Sequence, residues 1–469
     1  MILGICSMSL LIVGLDSTIV NVALPSIRRS LHASLSGLQW TVAAYTLVLS
    51  SLLMVSGSTA DRLGRRRVFQ FGLCLFSLGS LLCALAPSLA ALIAARVLQA
   101  IGGSMLNPVA MSIIRNVFVD PRERSQAIGV WGGVVGISMA LGPVLGGTLV
   151  DSVGWRWVFV VNLPIGLLAI LLTALFVPES RARRARRIDP VGQVLVFVAL
   201  ASLTYGLIEA PAAGWLSVQT LGLLAVSIAS FTSLALYELR HREPLLEVRF
   251  FRSAPFCGAT VIAVATFATM GGFLFLNTLY LQDVRGLSPL QAGLYTLPMA
   301  ATMLVVAPLS GRFIASRGMR APLVGGGLAL FASGLILTQM TERTPLATLL
   351  VAYVLFGLGS GLINPPITNT AVSGMPPSEA GVAASVASTA RGVGQTLGVA
   401  VFGSLAGAGA AGAIANGFTA STHASWYVVS GIGIGVVALG FAITTTWANA
   451  TAGRIAPLFV DDASGAARA

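Results

Sequence analysis

The sequence predicts an all-α membrane protein that crosses a bilayer many times. Of its 469 residues, 56% are hydrophobic and only 9% are charged, and the mean hydropathy is +0.88. Soluble domains carry about 25% charged residues, so this composition excludes an ordinary soluble protein. Apolar runs of about 20 residues recur along the whole chain, and a helix of that length can cross about 30 Å of hydrocarbon.

Fourteen apolar segments are long enough to be transmembrane helices, and we number them spans 1 to 14 in chain order. Their limits are 2–25, 38–58, 68–87, 89–113, 125–150, 156–177, 190–209, 215–237, 256–281, 288–310, 321–341, 345–371, 380–409 and 424–447. Because the number of crossings is even, both termini are expected on the same side of the membrane.

The arginines indicate which side this is. All 28 basic residues are arginine, and 21 of them lie in the loops after spans 2, 4, 6, 8 and 10 and in the C-terminal tail. The loops on the opposite side hold only five. Cytoplasmic loops of membrane proteins carry such an excess of positive charge. The sequence therefore predicts cytoplasmic termini, and the net charge of +12 needs no nucleic-acid partner to explain it.

The chain also repeats itself. ARVLQAIGGSMLNP (95–108) is similar to AYVLFGLGSGLINP (352–365), at an offset of 257 residues. GSTADRLGRR (57–66) aligns with GRFIASRGMR (311–320) at an offset of 254, and Pro121 and Glu123 align with Pro377 and Glu379 at an offset of 256. Span 2 thus corresponds to span 10 and span 4 to span 12. Parallel repeats of six helices are typical of transporters whose cargo site lies between two halves, near the bilayer midplane.

The repeat predicts two six-helix halves related by a pseudo-twofold axis, with two extra helices between them (6 + 2 + 6). The predicted parts are an N-terminal half (1–178), the two extra helices with flanking cytoplasmic linkers (179–255), a C-terminal half (256–447) and a cytoplasmic tail (448–469).

Five motifs occur in order along the spans. They are LDSTIVNVALP (15–25), GSTADRLGRRR (57–67), RVLQAIGGSM (96–105), GISMALGPVLGG (136–147) and WRWVFVVNLPIG (155–166). With these motifs, essentially the whole chain resembles the major facilitator superfamily, in its fourteen-helix drug:proton antiporter branch of the multidrug efflux type. The resemblance implies the major facilitator fold and an activity that exports drugs in exchange for protons.

The loop between spans 2 and 3 is the first candidate site. Glycines there permit tight turns, and Asp61 can either accept hydrogen bonds from a neighbouring helix N-terminus or pair with an arginine. The resemblance implies that this loop latches the halves and gates the conformational change; the alternative is a topology anchor and no more. The second copy has Ala315 in place of Asp61, so the latch is asymmetric. The gating-loop residues are Gly57, Asp61, Arg62, Gly64, Arg65 and Arg66.

Span 5 carries the antiporter motif. Its small residues let helices pack closely, and a proline inside a helix removes a backbone hydrogen bond and can bend it. The resemblance implies that span 5 bends at the interface between the halves, although close packing explains the residues nearly as well. The motif residues are Gly136, Gly142, Pro143, Gly146 and Gly147.

Asp16 and Arg96 are opposite charges inside apolar spans. Asp16 lies nine residues before Pro25, which is about 14 Å along a helix and close to half of the hydrocarbon thickness. Arg96 lies about seven residues from the outer end of span 4, which places it at a similar depth. An ionisable residue at this depth marks a functional site by default. Two interpretations stay open: a structural ion pair, or a carboxylate that carries protons as the cavity opens to each side.

Other polar residues within the spans are candidates to line a cargo cavity. They are Asn21, Tyr45, Gln99, Asn107, Asn277, Tyr280, Tyr295, Asn364, Arg391 and Gln395. Each of them alone is more often a helix–helix hydrogen bond than a cargo contact. A cavity with few fixed charges suits an apolar, adaptable cargo, whereas a sugar or a dicarboxylate needs dense polar pairing.

The sequence thus predicts a proton-coupled carrier in the cytoplasmic (inner) membrane, monomeric, that exports small amphipathic molecules. No Walker-type phosphate-binding motif occurs, and the chain has no lysine to complete one, so protons rather than ATP are the expected energy source and no cofactor or metal is expected. The alternatives are an exporter of one endogenous metabolite or lipid, a transporter-like sensor, and an integral membrane transferase. The short, basic loops favour a transporter over an enzyme.

Overall fold

The computed structural model describes residues 1–182, 189–241, 245–373, 380–409 and 418–454, and it confirms the predicted all-helical fold. Spans 1 to 5 are the helices Ile2–Leu31, Leu35–Leu63, Arg65–Leu85, Leu89–Val117 and Pro121–Ser152. Span 6 has two pieces, Trp157–Val160 and Asn162–Phe176. Spans 7 to 9 are Pro190–Ala213, Val218–Glu238 and Ala254–Leu279, and a π-helical turn, Tyr280–Val284, prolongs span 9. Spans 10 to 14 are Pro289–Arg317, Arg320–Leu337, Leu346–Val372, Ala380–Gly409 and Phe418–Ala442.

Length and apolarity qualify thirteen helices in the described residues as membrane spans, namely spans 1 to 12 and span 14. Span 13 is a further helix of 30 residues. A short helix, Thr446–Gly453, follows span 14, and a 3₁₀ turn, Val248–Arg252, precedes span 9. The predicted repeat partners Pro377 and Glu379, and most of the predicted tail, lie outside the described residues.

Several spans begin at side chains that cap free backbone N–H groups. The hydroxyl of Ser34 accepts a hydrogen bond from the N–H of Gly37, and the carboxylate of Asp120 accepts two from Arg122 and Glu123. Ser288 and Gln291 form a reciprocal capping box at the start of span 10. These caps satisfy the N–H groups that the first helical turn leaves without partners.

Span 1 is longer than predicted. The sequence predicts an end at Pro25, but the helix continues to Leu31 with Pro25 inside it. A proline costs one backbone hydrogen bond, and a neighbouring helix in a membrane bundle can compensate for it. The extension matters because it carries Arg28 to the end of the helix.

The two halves show the same pattern of helix packing, in which each span of the N-terminal half corresponds to the span eight positions later. In the N-terminal half span 3 packs on span 4 and span 1 on span 5; in the C-terminal half span 11 packs on span 12 and span 9 on span 13. Between the halves, span 5 packs on span 10 and span 13 packs on span 2. These two seams are equivalent under the predicted twofold relation. The residue limits of the four predicted parts stay a prediction.

The extra helices lie beside one seam. Spans 7 and 8 pack on each other, and span 7 contacts spans 2 and 13. The side-chain amide of Gln193 donates to the carbonyl of Ser51 at 2.8 Å, and the indole of Trp40 donates to the carboxylate of Glu209 at 3.0 Å. Span 7 is therefore bound to the N-terminal half along much of its length.

The halves are joined at the face that carries few arginines, which we call the arginine-poor face. Arg28 of span 1 pairs with Asp283 at 3.5 Å, and the amide of Gln282 donates to the carbonyl of Val22 at 2.8 Å. A third contact joins the N–H of Leu290 to the carboxylate of Asp151 at 3.2 Å. The structure is thus closed at this face.

Candidate functional site

Asp16 and Arg96 form an ion pair inside the N-terminal half. Nη1 of Arg96 donates to Oδ2 of Asp16, and the two side chains are 0% and 1% exposed. Spans 1 and 4 run in opposite directions. Asp16 precedes the outer end of span 1 and Arg96 follows the outer end of span 4, so the two residues lie at similar heights. Ion pairs that are buried this completely need further hydrogen bonds to offset the loss of hydration.

Those hydrogen bonds come from spans 3, 4 and 6. The amide nitrogen of Gln99 donates to Oδ1 of Asp16 at 2.8 Å and the amide nitrogen of Asn162 donates to the same oxygen at 3.2 Å. Both amides also donate to the hydroxyl of Ser80, at 3.2 and 3.0 Å. All five side chains are buried. Asp16 is therefore the centre of a closed polar network rather than one member of an isolated pair.

The guanidinium of Arg96 has partners besides Asp16. Its Nη1 donates to Oε1 of Gln99 at 2.7 Å, and its Nε donates to the carbonyl of Thr41 at 3.2 Å. The ring of Tyr45 lies 4.0 Å from the guanidinium carbon, at a cation–π distance. Arg96 thus keeps favourable contacts even when Asp16 is neutral.

Asn162 owes its position to the break in span 6. Pro164 has no N–H to bond the carbonyl of Val160 four residues earlier, and the helix is interrupted by a turn at Val161. The carbonyl of Phe159, just before the interruption, accepts a hydrogen bond from the hydroxyl of Ser80 at 3.0 Å. Two residues at this site, Asn162 and Ser80, were not predicted; only Asn162 carried a signal, since it lies within WRWVFVVNLPIG.

One buried acceptor beside Asp16 has no partner. The oxygen Oδ1 of Asn162 is buried without a hydrogen bond, while the nitrogen of the same amide faces the carboxylate. A buried acceptor without a partner costs free energy, so the amide of Asn162 is less well satisfied than that of Gln99, whose oxygen accepts from Arg96.

Titratable groups from other spans also face the network. They are Tyr45 of span 2 and Cys83 of span 3, together with Arg96 itself. The hydroxyl of Tyr45 is buried without a hydrogen bond, and the thiol of Cys83 lies 3.8 Å from Oε1 of Gln99.

The antiporter motif touches both halves. Gly142 and Gly146 face Thr18 and Ile19 of span 1, and a Cβ added at Gly146 would lie 2.7 Å from Cγ1 of Ile19. Thr18 is two residues from Asp16. Span 5 therefore contacts span 1 directly beside the ion pair.

The remaining motif residues face span 10 of the other half. A Cβ added at Gly147 would lie 2.5 Å from the carbonyl oxygen of Pro289, whereas Gly136 faces the terminal methyl group of Leu304. The carbonyl of Pro143 in turn lies against Gly293. The motif thus lies at the interface between the halves, and Gly147 permits an approach of the two backbones that any side chain would block.

In the gating loop Asp61 pairs with an arginine. Nε and Nη2 of Arg65 donate to Oδ1 of Asp61 at 3.0 and 2.8 Å. Gly64 separates spans 2 and 3 with a φ of 115°, in the region that favours glycine. Arg65 consequently begins span 3 with its guanidinium one turn from Asp61.

The segment after span 6 closes over this loop. The N–H of Arg65 donates to the carbonyl of Ser180 at 2.9 Å, and Glu179 accepts a hydrogen bond from the N–H of Arg66 at 3.2 Å. A guanidinium nitrogen of Arg66 also donates to the carbonyl of Ala174 at 2.6 Å. These contacts all stay within the N-terminal half and its linker, so the gating role of the loop stays a prediction.

Asp61→Asn is expected to reduce export strongly without affecting membrane insertion. The change removes the charge that holds Arg65, while the backbone contacts of the loop remain. Export of a fluorescent drug from cells, normalised to the amount of protein in the membrane, measures the effect. Glu123→Gln, at the start of span 5 on the same side of the membrane, is the matched control. Normal export by the Asp61 variant would mean that the loop is only a topology anchor.

The predicted cargo-cavity residues are dispersed. Tyr45 and Gln99 belong to the closed network around Asp16. Tyr280 lies in the π-helical turn at the arginine-poor end, where its hydroxyl donates to the carbonyl of Thr341 at 2.7 Å. All three side chains are fully buried in this conformation.

The other candidates lie within the spans. Asn21 donates to the carbonyl of Ser17 in its own helix at 3.0 Å, and Asn277 accepts a hydrogen bond from the hydroxyl of Tyr353. The partly buried ones are Asn107, Tyr295, Asn364, Arg391 and Gln395. Their roles in cargo binding stay predictions. Among the described residues, no cluster of three or more His, Cys, Asp or Glu is placed to hold a metal ion.

Comparison with known proteins identifies the family. The sequence profile of the Major Facilitator Superfamily matches residues 6–399. The chain is 39% identical to multidrug resistance protein Stp of Mycobacterium tuberculosis, over 85% of this chain and 74% of that protein. It is 40% identical to the tetracenomycin C resistance and export protein of Streptomyces glaucescens, with the same coverage, and 36% identical to puromycin resistance protein pur8 of Streptomyces alboniger, over 92% of this chain and 86% of that protein.

The fold has a counterpart among solved structures. A bacterial homologue of the human lysosomal transporter Spinster matches with a TM-score of 0.69 at 18% identity, over 97% of this chain and 98% of that chain. At this identity the likeness concerns the fold alone. Together with the sequence profile, it shows that the chain belongs to the major facilitator superfamily.

Proposed function

We propose that this protein is a proton-coupled efflux transporter that exports amphipathic drugs, antibiotics or dyes by alternating access. The observation that carries the proposal is the buried Asp16–Arg96 pair, which lies beside the contact between spans 1 and 5. The names of the relatives support the cargo class, since they describe multidrug resistance and the export of, or resistance to, single antibiotics.

The proton acts on Asp16. In its charged form the carboxylate holds Arg96 and accepts hydrogen bonds from Gln99 and Asn162. A proton on Asp16 weakens its attraction to Arg96, which retains Gln99, Thr41 and the ring of Tyr45. The resulting change in span 1 reaches span 5 through Thr18 and Gly142.

Span 5 connects this movement of span 1 to the other half of the protein. Its glycines pack against span 10, so a small shift of span 5 alters one of the two seams on which the halves rock. Packed interfaces of this kind respond to small shifts by switching between discrete arrangements. Proton binding thereby biases the equilibrium between conformations open to either side of the membrane.

In this proposal the protein lies in the cytoplasmic membrane, and its arginine-rich loops lie in the cytoplasm. In this orientation the arginine-poor face, which Arg28 and Asp283 hold closed, is the outer face. The conformation is then closed to the outside, as required for cargo to enter from the cytoplasm. One chain supplies both halves of the transport path, so a monomer is sufficient for transport.

Export is expected to stop when the proton gradient is collapsed. Cells that express the protein are loaded with fluorescein, an amphipathic dye with a carboxylate, through its diacetate ester, and a protonophore is added while cellular ATP is held constant. Cells without the gene give the background rate of leakage. Efflux that continues at its original rate with the gradient absent and ATP present would refute proton coupling.

A further inference from the structure

Arg391 lies on span 13 beside glycines that contact both halves. It lies eleven residues after the start of span 13 at Ala380, or about 16 Å along the helix, which is near the bilayer midplane. Its neighbour Gly392 contacts Ser50 of span 2 in the other half, whereas Gly394 contacts the carbonyl of Val264 in span 9. On a helix of 3.6 residues per turn, Arg391 points between these two contacts.

The described neighbours of Arg391 are hydroxyl groups and an aromatic ring. Its Nη2 donates to the hydroxyl of Thr368, and its Nη1 lies 3.4 Å from the hydroxyl of the exposed Ser388. Its Nε is buried without a hydrogen bond, and the ring of Phe267 lies 5.9 Å from the guanidinium carbon. Among the described residues, no carboxylate lies within 4.0 Å of it, unlike Arg96 and Arg28.

A guanidinium without a carboxylate partner costs free energy inside a membrane span unless a further group binds it. A cation that is removed from water is normally paired, and an ionisable residue inside a membrane span faces a cavity or a partner. Arginine cannot relieve the cost by losing its proton. The unpaired Nε and the adjacent Nη2 form the planar edge with which arginine binds a carboxylate in a bidentate manner.

We propose that Arg391 binds the anionic group of the cargo, so that the transported molecules are amphipathic acids with a carboxylate or an enolate. The proposal rests on the proposed export function and specifies its cargo class. The hydroxyls of Thr368 and Ser388 frame the acidic group, and the ring of Phe267 contacts its apolar neighbour. Gln395, one turn further along span 13, shares the face of the helix that carries Arg391.

The structure also fits a simpler role for Arg391, as a hydrogen bond between spans 12 and 13 through Thr368. The two roles differ in one respect. A structural hydrogen bond is indifferent to the charge of the cargo, whereas a binding site for an anion distinguishes an acid from its ester.

A pair of dyes tests this difference. Rhodamine 110 carries a free carboxylate, and rhodamine 123 is its methyl ester. Binding of each dye to the purified full-length protein is measured by fluorescence anisotropy. The wild type is expected to bind the acid about tenfold more tightly than the ester, because a hydrogen bond to a charged group stabilises by roughly that factor or more.

Arg391→Gln is expected to bring the two affinities within about twofold of each other, through a loss of affinity for the acid alone. Arg391→Lys keeps the charge but loses the planar edge with two donors, so it is expected to keep only part of the preference. Arg343→Gln, in an exposed loop at the arginine-poor face, is the matched control and is expected to bind as the wild type does. If the Gln variant fails to fold, Arg391→Met, which retains the apolar contacts, takes its place.

The outcomes separate this proposal from the one on which it rests. A wild type that binds both dyes equally, or a Gln variant that keeps the preference for the acid, overturns the assignment of Arg391 and leaves drug export intact. A wild type that binds neither dye contradicts the proposed cargo class, and the assignment with it.

Discussion

Asp16→Asn is expected to abolish export driven by the proton gradient while leaving a folded protein that still binds cargo. Asparagine has nearly the shape of aspartate and resembles its protonated, uncharged form. If Asp16 carries the proton, the transport cycle itself includes a neutral side chain at this position, so the fold must tolerate one. Arg96 keeps its hydrogen bonds to Gln99 and Thr41 in the variant.

Three measurements on the wild type and the variant test this expectation. They are efflux from vesicles with an imposed pH gradient, cargo binding across a range of pH, and a melting curve. The variant should lose the pH dependence of binding but not binding itself. Glu209→Gln is the matched control, because Glu209 is also a carboxylate in a membrane span but lies in the extra span 7, where it accepts a hydrogen bond from Trp40.

Two results would contradict the assignment of Asp16. A folded variant with wild-type efflux would show that Asp16 is not an essential proton carrier. Loss of stability and binding together would show that the ion pair is structural. The two outcomes are distinguishable because melting and efflux are measured on the same preparations.

Much of the fold could be predicted from the sequence, because the membrane imposes a strong constraint on it. Every apolar run had to be a helix of about the bilayer thickness, and the structure has a helix at each of the fourteen segments. Counting residues indicated that Asp16 and Arg96 could lie at similar heights, and the two side chains form an ion pair. The extension of span 1 past Pro25 did not, since a proline within a bundle can be compensated by packing that the sequence does not display.

The parts of the site that could not be predicted depend on tertiary contacts. Asn162 meets Asp16 only because span 6 breaks at Val161, and nothing in the sequence sets the direction in which the second piece continues. Ser80 is an ordinary serine in an apolar helix until span 3 packs beside spans 4 and 6. Spans 7 and 8 have no counterpart in the repeat, so their position beside spans 2 and 13 was also beyond prediction.

Span 1 connects the features of the N-terminal half. It carries Asp16, contacts span 5 through Thr18, and ends at Arg28 in the ion pair with Asp283. Arg28 lies twelve residues beyond Asp16, or about 18 Å along a continuous helix. A tilt of this helix at Asp16 therefore moves its end at the arginine-poor face. This connection gives Asp16, the proposed proton carrier, a direct mechanical route to the contact that closes that face.

Arg96→Gln is expected to destabilise the protein strongly, in contrast to Asp16→Asn. Removing Arg96 leaves the carboxylate of Asp16 buried without its cation and removes the donor to the carbonyl of Thr41. Breaking a buried ion pair from one side costs about 3–5 kcal/mol of the free energy of unfolding. The midpoint of thermal unfolding in detergent measures the loss. Arg156→Gln is the matched control, because that arginine is exposed and stacks on Trp155.

The double variant Asp16→Asn, Arg96→Gln separates the lone charge from lost packing. If the penalty comes from an unpaired carboxylate, the second substitution removes it, and the double variant should melt well above Arg96→Gln alone. If the penalty comes from the lost cation–π contact with Tyr45 and the lost hydrogen bond to Thr41, the double variant should be at least as unstable as the single one. A free energy of coupling near zero in this cycle would mean that the two charges do not stabilise each other, despite their contact.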